Sequence, residues 1–400
     1  MSFRADFEEL CRIGADPAGG WTRPAFSPAE NAAHDWLRRK GRAAGLAVRS
    51  DAIGNTILRL GGEGPAILIG SHLDTVPNGG ALDGALGVLA GLEVARRLAA
   101  EGAAGAPVEV IAFRDEEGRF GPFTGSRAMA GLHDPEALRN ARAPEGESLS
   151  DAARAAGFAA VNAPRDWAEV ALWLELHIEQ GPVLEATGLP LGIVTSIAGQ
   201  ERLSVRFMGR ADHAGTAPMH LRRDALAGAA RFATGFRDLI LAQGDPDLRG
   251  TIGVVKISPN QGNVVPATAT LGLEIRATDG DALPGVRDAV EALAGAVAGE
   301  EGLELRLRRL WSDRPVPMDA RLRRVLGDAA ATLGVPALAL PSGANHDTGI
   351  IGRIVPAAML FVPSTGGRSH CPEEATPVEQ IEAAIDVLHL AVQRLRGAPS

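Results

Sequence analysis

Four hundred residues, 46% apolar and 22% charged, exceed what one hydrophobic core usually serves, so two domains are expected. Forty basic side chains against 49 acidic ones give a formal charge of −9, and no Lys/Arg block or stripe stands out, which excludes the electrostatic footprint of nucleic-acid binding. Only Cys11 and Cys371 occur, which excludes a disulfide framework and fits a reducing cytoplasm; MSFRADFEELCRIG lacks the apolar centre of a secretory leader, and with no run of roughly 18 apolar residues no membrane span is expected.

The first element is a helix opening at SPAENAAHDWLRRKGRAAGL, with Ser27 as cap, Pro28 in the first turn and Glu30 at the capping-box spacing. Strand-length apolar runs follow at 66–73 (AILIGSHL), 108–113 (VEVIAF) and 170–178 (VALWLELHI). Between the first two, Ala85, Val88, Leu89 and Leu92 repeat at helical spacing. Strand, helix, strand in this order predicts a mostly parallel sheet with helices on its faces.

From about position 200 the pattern changes to alternation, at 203–207, 271–276 and 303–308, the mark of strands with one wet face. With TIGVVKI (251–257) and two helical stretches, the order reads β-α-β-β-α-β, the ferredoxin-like unit. Helix and buried-strand patterns resume with RLRRVLGDAAATLG, AAMLFVPS and EQIEAAIDVLHLAVQRL. The fold expected is therefore α/β, with a discontinuous domain over 1–199 and 315–400 and an inserted α+β domain over 200–314.

In an open α/β sheet, functional side chains gather where the strands end. His72 and Asp74 end the first run, Asp83 opens the following helix, Glu116 and Glu117 end the second, His177 ends the third, and His370 follows AAMLFVPS. Each has a structural reading: Asp83 as a helix N-cap, the Glu pair as a solvated turn, a single His as a hydrogen-bonded core residue. Together they form a ligand set for Zn²⁺ or another first-row divalent ion, and the third imidazole allows two sites sharing one acid. Asp74 can accept the second ring N–H of a ligating His72. Of the two glutamates only one is needed by a metal, leaving the other to take a proton from an activated water. Cys371 is read as structural. Neither a G-x-S-x-G elbow, a P-loop nor a G-x-G-x-x-G fingerprint occurs, so serine-hydrolase, P-loop and Rossmann chemistries lack their local geometry.

The segments GSHLDTVPNGGALDGALGVLAGLEV, DEEG, ELHIEQGPVLE, GRADHAGTAPM, NVVPA, EIR, SGANHD and FVPSTGGRSHCPEE, spread from about residue 20 to 376, resemble the motifs of the hydantoinase/carbamoylase branch of the dinuclear metallopeptidase superfamily. That branch includes N-carbamoyl-L-amino-acid hydrolases, allantoate amidohydrolases and β-ureidopropionases. The resemblance implies a zinc-aminopeptidase-like catalytic domain and an inserted domain that acts as lid and makes a homodimer. It implies one metal on His72, Asp83 and His177, a second on Asp83, Glu117 and His370, and Glu116 as general base. It also implies that His213 stabilises the oxyanion, in its own or the neighbouring subunit's site, while Gln180, Asn263 and Arg276 hold a carboxylate-bearing ureide. The ions implied are Zn²⁺, or Mn²⁺ or Co²⁺ by the same ligand chemistry. Members of the branch often read EEG-x-RF; here Arg119 directly follows Gly118 in EEGRFGPF, so a difference is expected in the pocket wall after the metal and base positions. Allantoate hydrolysis, or dipeptidase or aminoacylase action on the same scaffold, are the alternative activities, and a binding module without catalysis is the rival from another class.

Overall fold

Fully apolar strands need cover on both faces, and four of them make the centre of the larger sheet. Val108–Phe113, Ala66–His72, Val170–Ile178 and Ala357–Val362 lie side by side in that order, all parallel. They are buried along nearly their whole length. Toward the edges the pairing turns antiparallel, through Thr56–Leu60 and Ala47–Ser50 on one side and Leu191–Ile197 on the other. The structure, a computed structural model, describes residues 3–17, 19–102 and 104–397.

Side chains alternate between the two faces of a strand, and each face has its own core. Ile67 and Ile69 pack with Leu37, Leu86, Leu89, Leu326 and Leu388 from the helices Pro28–Ala43, Ala85–Glu101, Ala320–Thr332 and Val378–Gly397. Leu68, Ile111, Phe113 and Trp173 pack the opposite way, with Met129 and Ile351 from the short helices Thr124–Ala130 and Asp347–Ile351. The helix Ala85–Glu101 is buried at nearly every position through its first two and a half turns, so its start is rigidly tied to the end of the strand Ala66–His72.

The chain divides into two units, Met1–Thr195 with Pro317–Ser400, and Ser196–Val316. In the second, four antiparallel strands stand in the order Glu304–Asp313, Gly199–Met208, Thr268–Ala277, Arg249–Ser258. Helices Ala225–Ala242 and Ala282–Glu300 pack on Leu203, Val205, Phe207, Leu271, Leu273 and Ile275. The intervening positions, among them Arg202, Arg206, Glu274 and Arg276, are half-buried or exposed. Among the described residues, no helix is long and apolar enough to cross a membrane.

Candidate metal centre

Parallel strands deliver their last side chains to one edge, and here that edge is acidic and histidine-rich. His72 and His177 close two adjacent strands, and Glu116 and Glu117 follow a third. Asp83 stands just before the helix Ala85–Glu101. The helix is not capped by Asp83: its N-cap is Gly84, at φ +63°, with no side-chain cap bond. Position 84 has to be glycine, because a Cβ there would lie 2.4 Å from the His72 ring.

Asp83 is the centre of the cluster. Its Oδ1 lies 3.1 Å from His177 Nε2 and 3.7 Å from His72 Nε2, and its Oδ2 lies 3.0 Å from His370 Nε2, which in turn is 3.6 Å from Glu117 Oε1. These atoms make two triplets that share Asp83: His72, Asp83, His177 and Asp83, Glu117, His370. Ligand atoms about 2.1 Å from a common Zn²⁺ stand about 3.4 Å apart in a tetrahedron, so the observed separations suit such an ion. Glu117 Oε1 is buried without a hydrogen-bond partner, the condition of a carboxylate oxygen that lacks its cation. Imidazole and carboxylate donors together match Zn²⁺ and the neighbouring divalent ions. Glu116 belongs to neither triplet, but its Oε2 lies 3.7 Å from His72 Nε2.

The rings are oriented from behind. Nδ1 of His177 faces the Ile178 carbonyl at 2.9 Å and Nδ1 of His72 faces the Asp74 carbonyl at 3.0 Å, which directs both Nε2 lone pairs toward Asp83. The Asp74 carboxylate is farther from the ring, at 3.4 Å, and does more: its two oxygens accept the backbone N–H groups of Glu116 and Glu117 at 3.2 and 3.0 Å. Gln180, at φ +57°, sits in the same cluster, its Nε2 donating to Asp83 Oδ2 at 2.9 Å.

Charge within the cluster is mutually adjusted. Burial opposes ionisation of Asp83, but His177 and His370 at its oxygens hold its carboxyl well below the usual range. The hydrogen bond to Asp83 lifts His370 to about 9. Burial, with Asp83 nearby, pushes Glu117 up to about 7, and burial raises Glu116 well above an ordinary carboxyl. Such a set needs compensating positive charge at neutral pH, as protons on the rings or as divalent cations.

His213, Asn263 and Arg276 lie in the other unit. His213 and Asn263 are exposed neighbours: residue 213 bridges Val264, and Ala214 N–H donates to the Asn263 carbonyl at 2.9 Å. Arg276 is half-buried on its strand, its Nε donating to Glu274 Oε1 at 2.6 Å, while Arg202 on the adjacent strand holds the other oxygen of Glu274 at 2.9 Å.

Several supporting residues escaped the reading of the sequence. Arg114, fully buried, pairs with Glu30 and donates from Nε to the Gly54 carbonyl at 3.0 Å, anchoring the segment that carries the glutamates. The Ser27 cap is present, but the Glu30 carboxylate serves Phe26 N–H and Arg114. Asp115, at φ +56°, accepts from Thr124 Oγ1 at 2.6 Å and fixes the loop after Glu116. Glu175, His177 and His346 form a third triplet, but Glu175 already accepts from Ser71 and Thr348 hydroxyls and His177 points its Nε2 at Asp83.

Residues 68–394 match the model of peptidase family M20/M25/M40. The chain is 41% identical over 397 residues to N-carbamoyl-L-amino acid amidohydrolase of Geobacillus stearothermophilus, covering 97% of this chain and 96% of that protein. It is 37% identical over 404 residues to allantoate amidohydrolase of Escherichia coli (strain K12), covering 98% of each. A crystal structure of a hydantoinase/carbamoylase family amidase from Burkholderia multivorans superposes with a TM-score of 0.92 at 33% identity, over 100% of this chain and 98% of that one. With two triplets of metal-binding type meeting at Asp83, this chain belongs to the M20/M25/M40 peptidase family, within its hydantoinase/carbamoylase branch.

Proposed function

We propose that the protein is a metal-dependent amidohydrolase that cleaves the ureido C–N bond of an N-carbamoyl-L-amino acid or a related linear ureide, releasing ammonia, carbon dioxide and the free amino acid or corresponding amine. The observation that carries this reading is the convergence of four ligand-type side chains on a fifth, Asp83, with the buried Glu116 beside them but outside both triplets. A pair of divalent cations, Zn²⁺ first and Mn²⁺ or Co²⁺ next, would be held by His72, Asp83 and His177 and by Asp83, Glu117 and His370, and supplies charge stabilisation and a more acidic water when bound.

The chain's own residues do the rest. Glu116 takes the proton of the attacking water and returns it to the leaving nitrogen; burial, which raises its pKa, suits it to carry a proton near neutral pH. Asp74, by gripping the N–H groups of residues 116 and 117, keeps base and ligand in fixed relation. His213 stabilises the oxyanion, in its own subunit's site or a partner's. Gln180 and Asn263 orient the ureide, and Arg276 grips its carboxylate with paired N–H donors.

Ammonia release from N-carbamoyl-L-amino acids and allantoate, beside release of free amino acid from N-acyl amino acids and dipeptides, whose cleavage yields no ammonia, tests the assignment with each of the three metals. Turnover confined to acyl amino acids or dipeptides would overturn it; turnover of allantoate alone would narrow it to the activity of the Escherichia coli relative. Arg276→Ala is expected to raise KM for carboxylate-bearing substrates roughly 10- to 100-fold with kcat changed much less. An unchanged KM in steady-state assays would make Arg276 a surface residue paired with Glu274.

The inserted unit serves as lid and dimerisation domain. Its outer strand Arg249–Ser258 has an open edge and exposes Val254 and Val255, the kind of surface a second strand covers. Sedimentation should report a dimer, and V254D/V255D should shift it toward monomer; a monomeric wild type ends this part of the proposal. The unpaired thiols of Cys11 and Cys371 go with a cytoplasmic setting.

A further inference from the structure

His72 and His177 are held by strands of the sheet. Asp83 and His370 are not, and yet they must meet. His370 follows a turn, half-exposed and at φ +56°, a conformation that a non-glycine residue keeps only when its surroundings enforce it. Gln180 Nε2 reaches both segments, at Asp83 Oδ2 (2.9 Å) and Ser369 Oγ (3.3 Å), and one buried carboxylate also ties them together. Glu374, 6% exposed, accepts the backbone N–H groups of Leu82 and Asp83 on Oε1, at 2.9 and 3.0 Å, and the Ser369 hydroxyl on Oε2, at 2.9 Å. Its own N–H closes the turn onto the Cys371 carbonyl at 3.1 Å. Ser369 Oγ also lies 3.4 Å from Asp83 Oδ2. A carboxylate fits there because residue 80 is glycine: a Cβ at that position would stand 1.9 Å from Glu374 Oε1.

We propose that Glu374 is a positioning residue that sets metal affinity by locking the shared ligand Asp83 to the loop of His370; this rests on the reading of the cluster as a two-metal centre. Glu374 itself ligates nothing. Its carboxylate makes the helix-entry loop and the loop before the last helix one rigid piece, so that neither ligand loses freedom when a cation arrives.

Zn²⁺ titration of the chelator-stripped full chain, in competition with a chelating dye, tests this alongside thermal melts. Glu374→Ala and Gly80→Ala, the second of which displaces the carboxylate without removing its charge, should each weaken Zn²⁺ binding roughly 10- to 100-fold. Glu374→Gln keeps one oxygen for both N–H groups and should stay close to wild type. Ser369→Ala cuts the tie from Glu374 to the His370 loop, together with the weaker contacts of its hydroxyl to Asp83 Oδ2 and Gln180 Nε2, and should weaken one of the two ions. If Glu374→Ala fails to fold, Gly80→Ala decides. Wild-type Zn²⁺ affinity in a folded Glu374→Ala or Gly80→Ala protein, even with a lowered melting temperature, overturns the proposal and leaves Glu374 a structural residue. A wild type that binds no ion overturns the two-metal reading itself.

Discussion

Glu116→Gln should keep both metal sites and lose nearly all turnover. The amide is close in shape to the carboxylate and, like it, stands outside the two triplets around Asp83, so Zn²⁺ stoichiometry should remain two per chain. It cannot accept a proton. Positioned general acid-base groups contribute typically ~10²–10⁴-fold, and kcat for the best ureide should fall by that factor, with KM little changed because Glu116 binds no part of the substrate's carboxylate. Metal analysis and steady-state kinetics on one preparation separate the outcomes. A variant that turns over near the wild-type rate removes Glu116 from the role of base, and one that loses an ion shows it to be a ligand.

The parts of this site that were legible in the sequence are those written locally. Apolar runs at 66–73, 108–113 and 170–178 read as buried strands because both faces are covered, and the observed strands occupy 66–72, 108–113 and 170–178. His72, His177 and the Glu116–Glu117 pair could be placed at one edge because parallel strands end together. Alternation at 203–207 and 271–276 was readable because one face of that sheet is packed and the other is not. What escaped is non-local. Glu374 acts by accepting N–H groups some 290 positions away, and nothing in CPEE marks which glutamate does so. Glu30 has capping-box spacing, but its partner is the buried Arg114, 84 positions on. The antiparallel edges were missed for a related reason: Thr56–Leu60 and Leu191–Ile197 are short, and their direction is set by partners rather than by their own residues. Asp83 had an ordinary local reading, helix capping, and only the fold shows that Gly84 holds that position.

Asp83→Asn should abolish binding of both ions at once, an effect well beyond the roughly 10- to 100-fold expected when a residue that merely supports a ligand is changed. Asparagine offers one neutral oxygen where Asp83 offers two anionic ones, directed at His177 and His370. The stability of the chelator-treated protein should respond too. His370 titrates at about 9 through its bond to Asp83, against about 6.5 in an unfolded chain. The stabilisation this gives is complete below pH ~6.5 and lost as pH rises through about 9. Glu117, lifted to about 7 by burial and then by Asp83, acts in the same direction, because a carboxyl that favours its protonated form in the fold loses stability as pH climbs past its unfolded value of ~4.3. The melting temperature of metal-free wild type should therefore fall between about pH 5 and 9, and in Asp83→Asn, where the anion acting on both groups is gone, the slope should flatten. If Asp83→Asn instead kept two ions and the wild-type slope, Asp83 would be a structural residue at a helix entrance, and the two triplets would not be a metal centre.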